Sequence, residues 1–329
     1  MTSDAIKTNT TNQRSQRLRG FILLMLAVLF WGTAAPIGKY LIVTRFDTLI
    51  LAQTRTSLTF VLLFFFFILK NQSVFKIHRA DIWKFAVLGV IGISLTNYSY
   101  YFTAKESSVA TAILVQYTAP VWVVLYSVFV IKEDKLDRIT FISLVLGLIG
   151  CYFAVTAGSM HGVNLKGLAI ITGPVSAFTF AYQIVATKQL LKRYTVWTML
   201  VYMFGFSAMF WLCINPPWVI LAKNYTYSDW ELFWMFAIIS ILIPQTAFAA
   251  GLKLLEASTV GIVSILEPVI AILAAFFILG ESLGVVQIFG AVLVVVAVGL
   301  IQAHPMIREK MMRKSSEKVR SGLHSGKKE

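Results

Sequence analysis

Two ionisable residues lie inside long apolar segments, where a charge is costly. Arg55 lies in the segment 48–69 and Glu267 in the segment 258–279. An ionisable side chain at membrane depth is a functional-site candidate by default. The two side chains could pair with each other or bind a charged group of a ligand, and Glu267 is also the candidate for proton coupling. The structural alternatives are that Arg55 reaches the interface or binds free helix carbonyls, and that Glu267 is tied to helix ends or to a basic partner.

Uncharged polar and aromatic residues in the same segments fill out a candidate substrate cavity. Such a lining suits an amphipathic organic molecule, because apolar contact is combined with a few hydrogen bonds that orient the ligand. For each residue, an interhelical hydrogen bond or simple packing is an equal alternative. Besides Arg55 and Glu267, the candidates are Trp31, Thr33, Asn97, Tyr98, Tyr101, Gln116, Tyr117, Tyr182, Gln183, Gln245 and Ser264.

The chain resembles itself at an offset of 148 residues. The matched prolines and polar residues are Lys105/Lys253, Thr111/Thr259, Pro120/Pro268 and Glu133/Glu281. A weaker match at an offset of 149 aligns Lys39 with Lys188. Two similar halves with broken helices in corresponding positions are typical of secondary transporters.

Prolines inside the apolar segments predict flexible points. A proline removes a helix hydrogen bond, and the freed carbonyl is tolerated in a membrane where neighbours or a wet cavity satisfy it. We therefore predict hinges at Pro36, Pro120 and Pro268, with a kink that improves packing as the alternative.

The composition predicts a membrane protein that is all-α. The chain has 329 residues, of which 58% are hydrophobic and 13% charged, too apolar for a soluble surface. About 20 apolar residues span a membrane as a helix. Ten such segments are present: 21–43, 48–69, 83–104, 109–131, 139–157, 167–187, 196–215, 232–252, 258–279 and 284–303.

The spacing of the repeat predicts two inverted halves. The matched segments are five spans apart, and since five is odd, the second half crosses the membrane in the opposite sense. We expect a first five-helix repeat at 21–157 and a second at 167–303. A cytoplasmic tail at 1–20 and a basic cytoplasmic tail at 304–329 complete the predicted domain organisation.

The net charge of +14 is distributed by side of the membrane. Most basic residues lie in the loops that share a face with both termini, and the other loops hold only Arg45, Lys105, Lys166 and Lys223. The positive-inside rule then places both termini in the cytoplasm of a plasma (bacterial inner) membrane. Because the basic residues form no single face or stripe, we predict no nucleic-acid partner.

Several classes of activity lack the residues they need. The aspartates and histidines all lie outside the predicted spans, which leaves no intramembrane aspartyl dyad, Ser–His pair or HExxH metal site. The sequence holds no Walker motif that would drive an ATP-dependent pump. We predict a protein that is not an enzyme, with no catalytic residues, no metal and no cofactor.

The chain resembles the drug/metabolite transporter superfamily, of the EamA type with ten helices. The residues that carry the resemblance are Phe30-Trp31-Gly32 with Pro36, Arg55, Tyr117-Thr118-Ala119-Pro120 with Glu133, and Leu266-Glu267-Pro268 with Gly280-Glu281. The resemblance covers about residues 20–303. It implies two five-helix repeats, with the fifth and tenth helices peripheral and a cavity lined by the others. It also implies small metabolites as substrates and favours export over import.

We therefore predict a secondary-active transporter that moves small organic metabolites, such as amino acids or drug-like amphipathic molecules, by alternating access. A facilitative uniporter or a channel-like permease is the alternative. Its partners would be the substrate, the lipid bilayer and a coupling proton at Glu267.

Overall fold

Ten apolar helices make up the fold. The computed structural model describes residues 3–132, 134, 136–159, 165–280 and 282–303, so Glu133, Glu281 and the predicted tail 304–329 lie outside the described part. Within it, ten helices are long and apolar enough to cross a membrane, which confirms the predicted all-α, ten-span class. They are α1 (Arg14–Thr44), α2 (Thr48–Lys70), α3 (Arg79–Glu106), α4 (Val109–Ile131), α5 (Arg138–Thr156), α6 (Ala169–Leu190), α7 (Val196–Ile214), α8 (Tyr227–Leu254), α9 (Ala257–Ile278) and α10 (Val285–Ala303).

Some helices begin earlier than hydropathy predicts, because polar residues start them. The first helix extends back to Ser3, into the predicted N-terminal tail. The start of α8 at Tyr227 follows a capping box, in which the Thr226 and Asp229 side chains satisfy each other's backbone N–H groups. Helix α3 begins with a 3₁₀ turn at Arg79–Asp81. Such polar first turns are invisible to a search for apolar runs.

The helices alternate in direction, and their loops therefore fall on two faces. We call the face on which α1 begins the near face and the opposite one the far face. The loops α2–α3, α4–α5, α6–α7 and α8–α9 belong to the near face, and the remaining loops belong to the far face.

Two helices are broken at corresponding places. The segments are α4a (Val109–Gln116) and α4b (Ala119–Leu125) in α4, and α9a (Ala257–Ser264) and α9b (Leu266–Leu279) in α9. Pro120 and Pro268 lie in the first turn of the second segments, where the missing N–H and the ring disfavour a continuous helix. Tyr117 and Ile265 mark the two interruptions, 148 residues apart. Pro36, by contrast, lies within the continuous first helix.

Helices α3 and α8 each contain a π-helical segment, at Leu88–Leu95 and Ile238–Leu242. Shifted by 148 residues, the second segment falls inside the first. Helix α4 also ends in a π-helical segment, at Tyr126–Ile131, but the corresponding part of α9 is α-helical. Because π turns are rare and cluster at functional sites, the matched pair distinguishes α3 and α8.

Two ion pairs join the halves of the chain in a reciprocal way. On the far face, Arg45 pairs with Asp229. On the near face, Arg193 pairs with Asp81, with 3.4 Å between nitrogen and oxygen. Arg193 lies 148 residues after Arg45, and Asp229 lies 148 residues after Asp81. Exchanging equivalent positions of the two halves therefore converts each ion pair into the other.

A ring contact repeats beside each ion pair. Phe46 packs on Phe233 at 4.3 Å between ring centroids, and Tyr194 packs on Phe85 at 5.1 Å. These residues are also related by 148 positions, and both Phe85 and Phe233 are fully buried. Burial raises the pKa of the Tyr194 hydroxyl, and its hydrogen bond to Asp81 raises it further.

The helices of the two halves interleave. Helix α1 packs on α8 and α9b, and α6 packs on α3 and α4. Helices α5 and α10 meet each other at Gly150 and Gly290, where an added Cβ on either glycine would collide with the other helix's backbone. One buried core cluster lies among α1, α4, α6, α8 and α9 and extends to α5 and α10. This core surrounds the segments that are broken.

Candidate functional site

A group of polar side chains gathers beside the breaks in α4 and α9, and we call it the central polar cluster. It consists of Arg55 from α2, Asn97, Tyr100 and Tyr101 from α3, Tyr117 at the break in α4, and Glu267 in the first turn of α9b. At about 1.5 Å of rise per residue, Arg55 lies roughly 10 Å from the far end of α2. The cluster is therefore at membrane depth, nearer the far face.

Arg55 is held in the cluster by contacts that leave it short of partners. Its Nη2 donates to Asn97 Oδ1 at 2.8 Å, and its guanidinium lies 5.6 Å from the centre of the Tyr101 ring. The Asn97 amide donates in turn to the Ile93 carbonyl at 2.8 Å, which turns the Asn97 oxygen toward Arg55. The Arg55 Nε–H group is buried without a hydrogen-bond partner. The guanidinium thus retains donor capacity for a further acceptor.

Glu267 lies across the cluster from Arg55 and comes from the other half of the chain. The Tyr117 hydroxyl is its hydrogen-bonding neighbour, and Tyr100 and Arg55 are close enough to interact with its charge. The carboxyl group also sits in the first turn of α9b, where the helix dipole favours a negative charge. No ion pair joins Glu267 to Arg55 or to any other residue that the structure describes. The direct Arg55–Glu267 pair considered from the sequence is not formed.

The aromatic candidates lie both in the cluster and outside it. Trp31 packs on Phe248 of α8 at 5.1 Å. Tyr98 stacks on Phe102 and packs against Trp211 of α7. Tyr182 of α6 is half-buried and lies close to Tyr126.

The remaining polar candidates form no hydrogen bond with the cluster among the contacts that the structure describes. The Ser264 hydroxyl donates to the Val260 carbonyl of its own helix at 2.9 Å. Gln183 is buried beside the π segment of α3, and Gln116 is half-buried at the end of α4a. Gln245 is buried, and its Nε2 has no hydrogen-bond partner. Thr33 is exposed and bonds its own helix.

Tyr100 belongs to the cluster but was not among the residues predicted from the sequence. It lies three positions after Asn97, on the same face of α3, and that spacing was the available signal. Asp134 was also missed, because it lies in a loop and the candidates were sought in the spans.

Side-chain contacts close the structure toward the near face. The Lys188 ammonium donates to the carbonyls of Leu252 and Leu255 at 2.8 and 2.6 Å, which ties the end of α6 to the end of α8. The Asp134 carboxylate accepts a hydrogen bond from the Ser258 N–H at 2.9 Å, which ties the end of α4 to the start of α9a. Both contacts lie at the near end of the helices that surround the cluster.

The matched segments α9a and α4a, which lie toward opposite faces, are enclosed to different degrees. All eight residues of α9a are buried, but in the matched segment α4a only Thr111 and Ala112 are. On the near face, α9a packs on α4b and on α6. Within the described part of the chain, α4a makes no comparable contact with α9b or with α1. The two ends of the central polar cluster are therefore unequal: the near end is sealed and the far end is more open.

The described residues include no group of three or more histidine, cysteine, aspartate or glutamate side chains that could hold a metal ion. The absence of a metal and of a cofactor stays a prediction.

Comparison with known proteins places the chain among transporters. The chain is 26% identical over 246 residues to an uncharacterized transporter of Archaeoglobus fulgidus, covering 74% of this chain and 84% of the relative. It is 20% identical over 288 residues to the uncharacterized inner membrane transporter YicL of Salmonella typhimurium, covering 86% and 95%. A crystal structure at 18% identity matches with a TM-score of 0.71, covering 87% of this chain and 96% of that one, and shows the same fold.

The family assignment comes from two separate matches. The model of the EamA-like transporter family matches residues 18–156 and again residues 167–302, most of the chain. The protein is therefore a multi-pass membrane transporter that belongs to the EamA-like transporter family.

Proposed function

We propose that this protein is a secondary-active carrier that moves small organic metabolites by alternating access, with export as the physiological direction. The observation that carries the proposal is the reciprocal pair of interhalf contacts, Arg45–Asp229 and Arg193–Asp81, on opposite faces. A molecule with such exchangeable halves has two equivalent ways to close around one central site.

The proposal requires two inverted repeats, and several features support them. The helix breaks, the π segments of α3 and α8 and the ion pairs recur at one offset of 148 residues. The family model also matches each half separately. We propose repeats at 21–157 and 167–303, with flexible points at Pro120 and Pro268 and a further one at Pro36.

Alternating access also requires that, at any one time, the central site be closed toward one face and open toward the other. The near face is sealed by Lys188 and Asp134, and α9a is buried to a degree that α4a is not. Exchanging the conformations of the halves would bury α4a and release α9a. The central polar cluster, which lies between these segments, would then open to the near face.

We propose that the near face is cytoplasmic and that the host membrane is a plasma (bacterial inner) membrane. The basic loops and both tails lie on the near face, as the positive-inside rule requires. Export as the direction rests on the family resemblance. Energy would come from an ion gradient, with Glu267 as the group that binds the coupling proton.

Counterflow in proteoliposomes tests the proposal. Vesicles containing purified protein and loaded with an unlabelled amino acid or metabolite are diluted into a trace of the same labelled compound. A carrier gives a transient, saturable overshoot of label inside the vesicles, because exchange is faster than net loss. A pH gradient of either sign then tests coupling and direction.

The alternatives give different results in the same vesicles. A channel-like permease gives uptake that neither saturates nor overshoots. A uniporter gives the overshoot but no accumulation in response to a pH gradient. Either result would replace the secondary-active proposal.

A further inference from the structure

We propose that the central polar cluster binds a zwitterion, with the ligand's carboxylate on Arg55 and its ammonium group on Glu267. The inference rests on the proposed function and names the substrate class of the same site: a small α-amino acid with an apolar or aromatic side chain.

The first argument is that the Arg55 guanidinium lacks a full set of hydrogen-bond acceptors. A guanidinium keeps its charge in proteins and has five N–H donors. Arg55 has Asn97 Oδ1 as an acceptor and the Tyr101 ring beside it, but its buried Nε–H has no partner. A buried charge without full pairing is unfavourable. A carboxylate is the group that a guanidinium binds best, because two parallel hydrogen bonds can form.

The second argument is that Glu267, like Arg55, has no oppositely charged partner among the described residues. Its carboxyl group has the Tyr117 hydroxyl as a neighbour, and among the described residues it forms no ion pair. Arg55 is near enough to interact with it electrostatically, yet the two do not pair. The cluster therefore presents one positive and one negative group, held apart.

The third argument concerns the net charge that a ligand would bring into the cluster. An anionic ligand would satisfy Arg55 and add a second negative charge beside Glu267. A cationic ligand would satisfy Glu267 and leave Arg55 as it is. A single zwitterion neutralises both groups and brings no net charge into a site of low dielectric.

The fourth argument is that the polar residues of the cluster have no polar counterparts at the equivalent positions of the other half of the chain. The positions 148 residues after Arg55, Tyr100 and Tyr117 are Met203, Phe248 and Ile265. All three are fully buried in the packed core. The position equivalent to Glu267 is Ala119, also fully buried. These four equivalent positions therefore form no second charged cluster, and the tyrosine rings offer surface for an apolar or aromatic side chain.

Ligand-induced thermal stabilisation of the purified full-length protein tests this inference. The probes are the standard L-amino acids, and for each one that stabilises, its N-acetyl derivative and its carboxamide. A binder stabilises in proportion to the logarithm of its concentration over its dissociation constant. We expect at least one amino acid to bind, and removal of either ligand charge to weaken binding at least about tenfold, since hydrogen bonds to charged groups contribute about 1.5–3 kcal/mol.

Paired variants separate the two contacts. In Arg55→Gln, the amino acid should bind no better than its carboxamide does, because the carboxylate has lost its partner. In Glu267→Gln, the amino acid should bind no better than its N-acetyl derivative. The matched controls are Lys223→Gln and Glu231→Gln, which remove one charge of each sign from exposed positions and should leave all affinities unchanged.

The results that overturn the inference differ from those that overturn the function. Equal binding of an amino acid and of its derivatives by the wild-type protein would contradict the zwitterion site, whether or not the variants fold. Counterflow of a purely anionic or cationic metabolite, with no amino acid bound, would also contradict it while leaving the transport function in place. Amino-acid binding without any counterflow would sustain the site and contradict the transporter mechanism.

Discussion

Asp81 and Asp229 hold equivalent positions at opposite faces of the molecule, and each forms an ion pair with an arginine of the other half. Neither pair is deeply buried on its arginine side, since the Arg45 and Arg193 side chains are exposed. Their importance is therefore geometric. They fasten the loop between α1 and α2 to α8, and the loop between α6 and α7 to α3.

These contacts predict which helices move together. Helices α1 and α2 are joined to α8, and α6 and α7 to α3. The moving bodies would then be two mixed bundles, each built from both halves of the chain. Rigid-body rotation of packed bundles is one of the established routes of conformational exchange.

Double-mutant cycles test the equivalence of the ion pairs. We expect Arg45→Gln with Asp229→Asn, and Arg193→Gln with Asp81→Asn, to give coupling energies of the same sign, each about 0.5–1 kcal/mol, as for other partly exposed pairs. Thermal unfolding in detergent measures them. A zero coupling in both cycles would show that the pairs do not contribute to bundle stability.

Disulfide cross-linking tests the mixed bundles directly. A Cβ built on Gly261 lies 3.4 Å from Val123 Cβ, close to disulfide geometry. A disulfide at these positions would join α9a, which follows α8, to α4b, which follows α3. In a background without Cys151 and Cys213, we expect the Gly261→Cys/Val123→Cys disulfide to stop transport, while each single cysteine variant permits it.

Reduction provides a second control for this experiment. Dithiothreitol should restore transport to the Gly261→Cys/Val123→Cys protein, since the arrest comes from the bond and not from the substitutions. Full transport with this disulfide formed would contradict opening at α9a.

Accessible lysine positions test the membrane orientation. Four lysines have exposed side chains: Lys166, Lys223, Lys76 and Lys192. Because none of these positions is buried, labelling of a cysteine at each one reports the side of the membrane on which it lies. With the near face in the cytoplasm, a membrane-impermeant maleimide added to intact cells should label the cysteines at positions 166 and 223 only. Labelling at 192 from outside would overturn both the orientation and the predicted loop pattern.

Pro→Ala substitutions test the two flexible points. Pro120 and Pro268 lie in the first turns of α4b and α9b, where alanine would allow a continuous helix. We expect either substitution to slow counterflow several-fold while the melting temperature stays the same or rises. Unchanged transport in both variants would identify the prolines as packing residues.

The spans and part of the site could be predicted from the sequence, for physical reasons. Apolar runs of membrane length are rare outside membrane helices, and charges at membrane depth are rare enough that Arg55 and Glu267 stand out. The structure brings both together with Asn97, Tyr101 and Tyr117. The direction in which Tyr98 faces depends on the packing of α3 on α7, which no local pattern specifies.

The reciprocal ion pairs could have been predicted from the repeat but lie outside the apolar spans. Arg45/Arg193 and Asp81/Asp229 match at the same 148-residue offset as the prolines, in loops and first turns that hydropathy does not mark. The π segments could not be predicted, because they are rare and no residue type or spacing in the sequence marks them.

Glu267→Gln tests the coupling of protons to transport. If one carboxylate binds either a proton or the substrate's ammonium group, the two compete, and a pH gradient can drive the substrate the other way. Glutamine can do neither, so the variant should lose accumulation driven by a pH gradient. Exchange of labelled for unlabelled substrate should persist at higher substrate concentrations, because Arg55 still binds the carboxylate. A pH-dependent accumulation in Glu267→Gln equal to that of the wild type would exclude Glu267 as the coupling site.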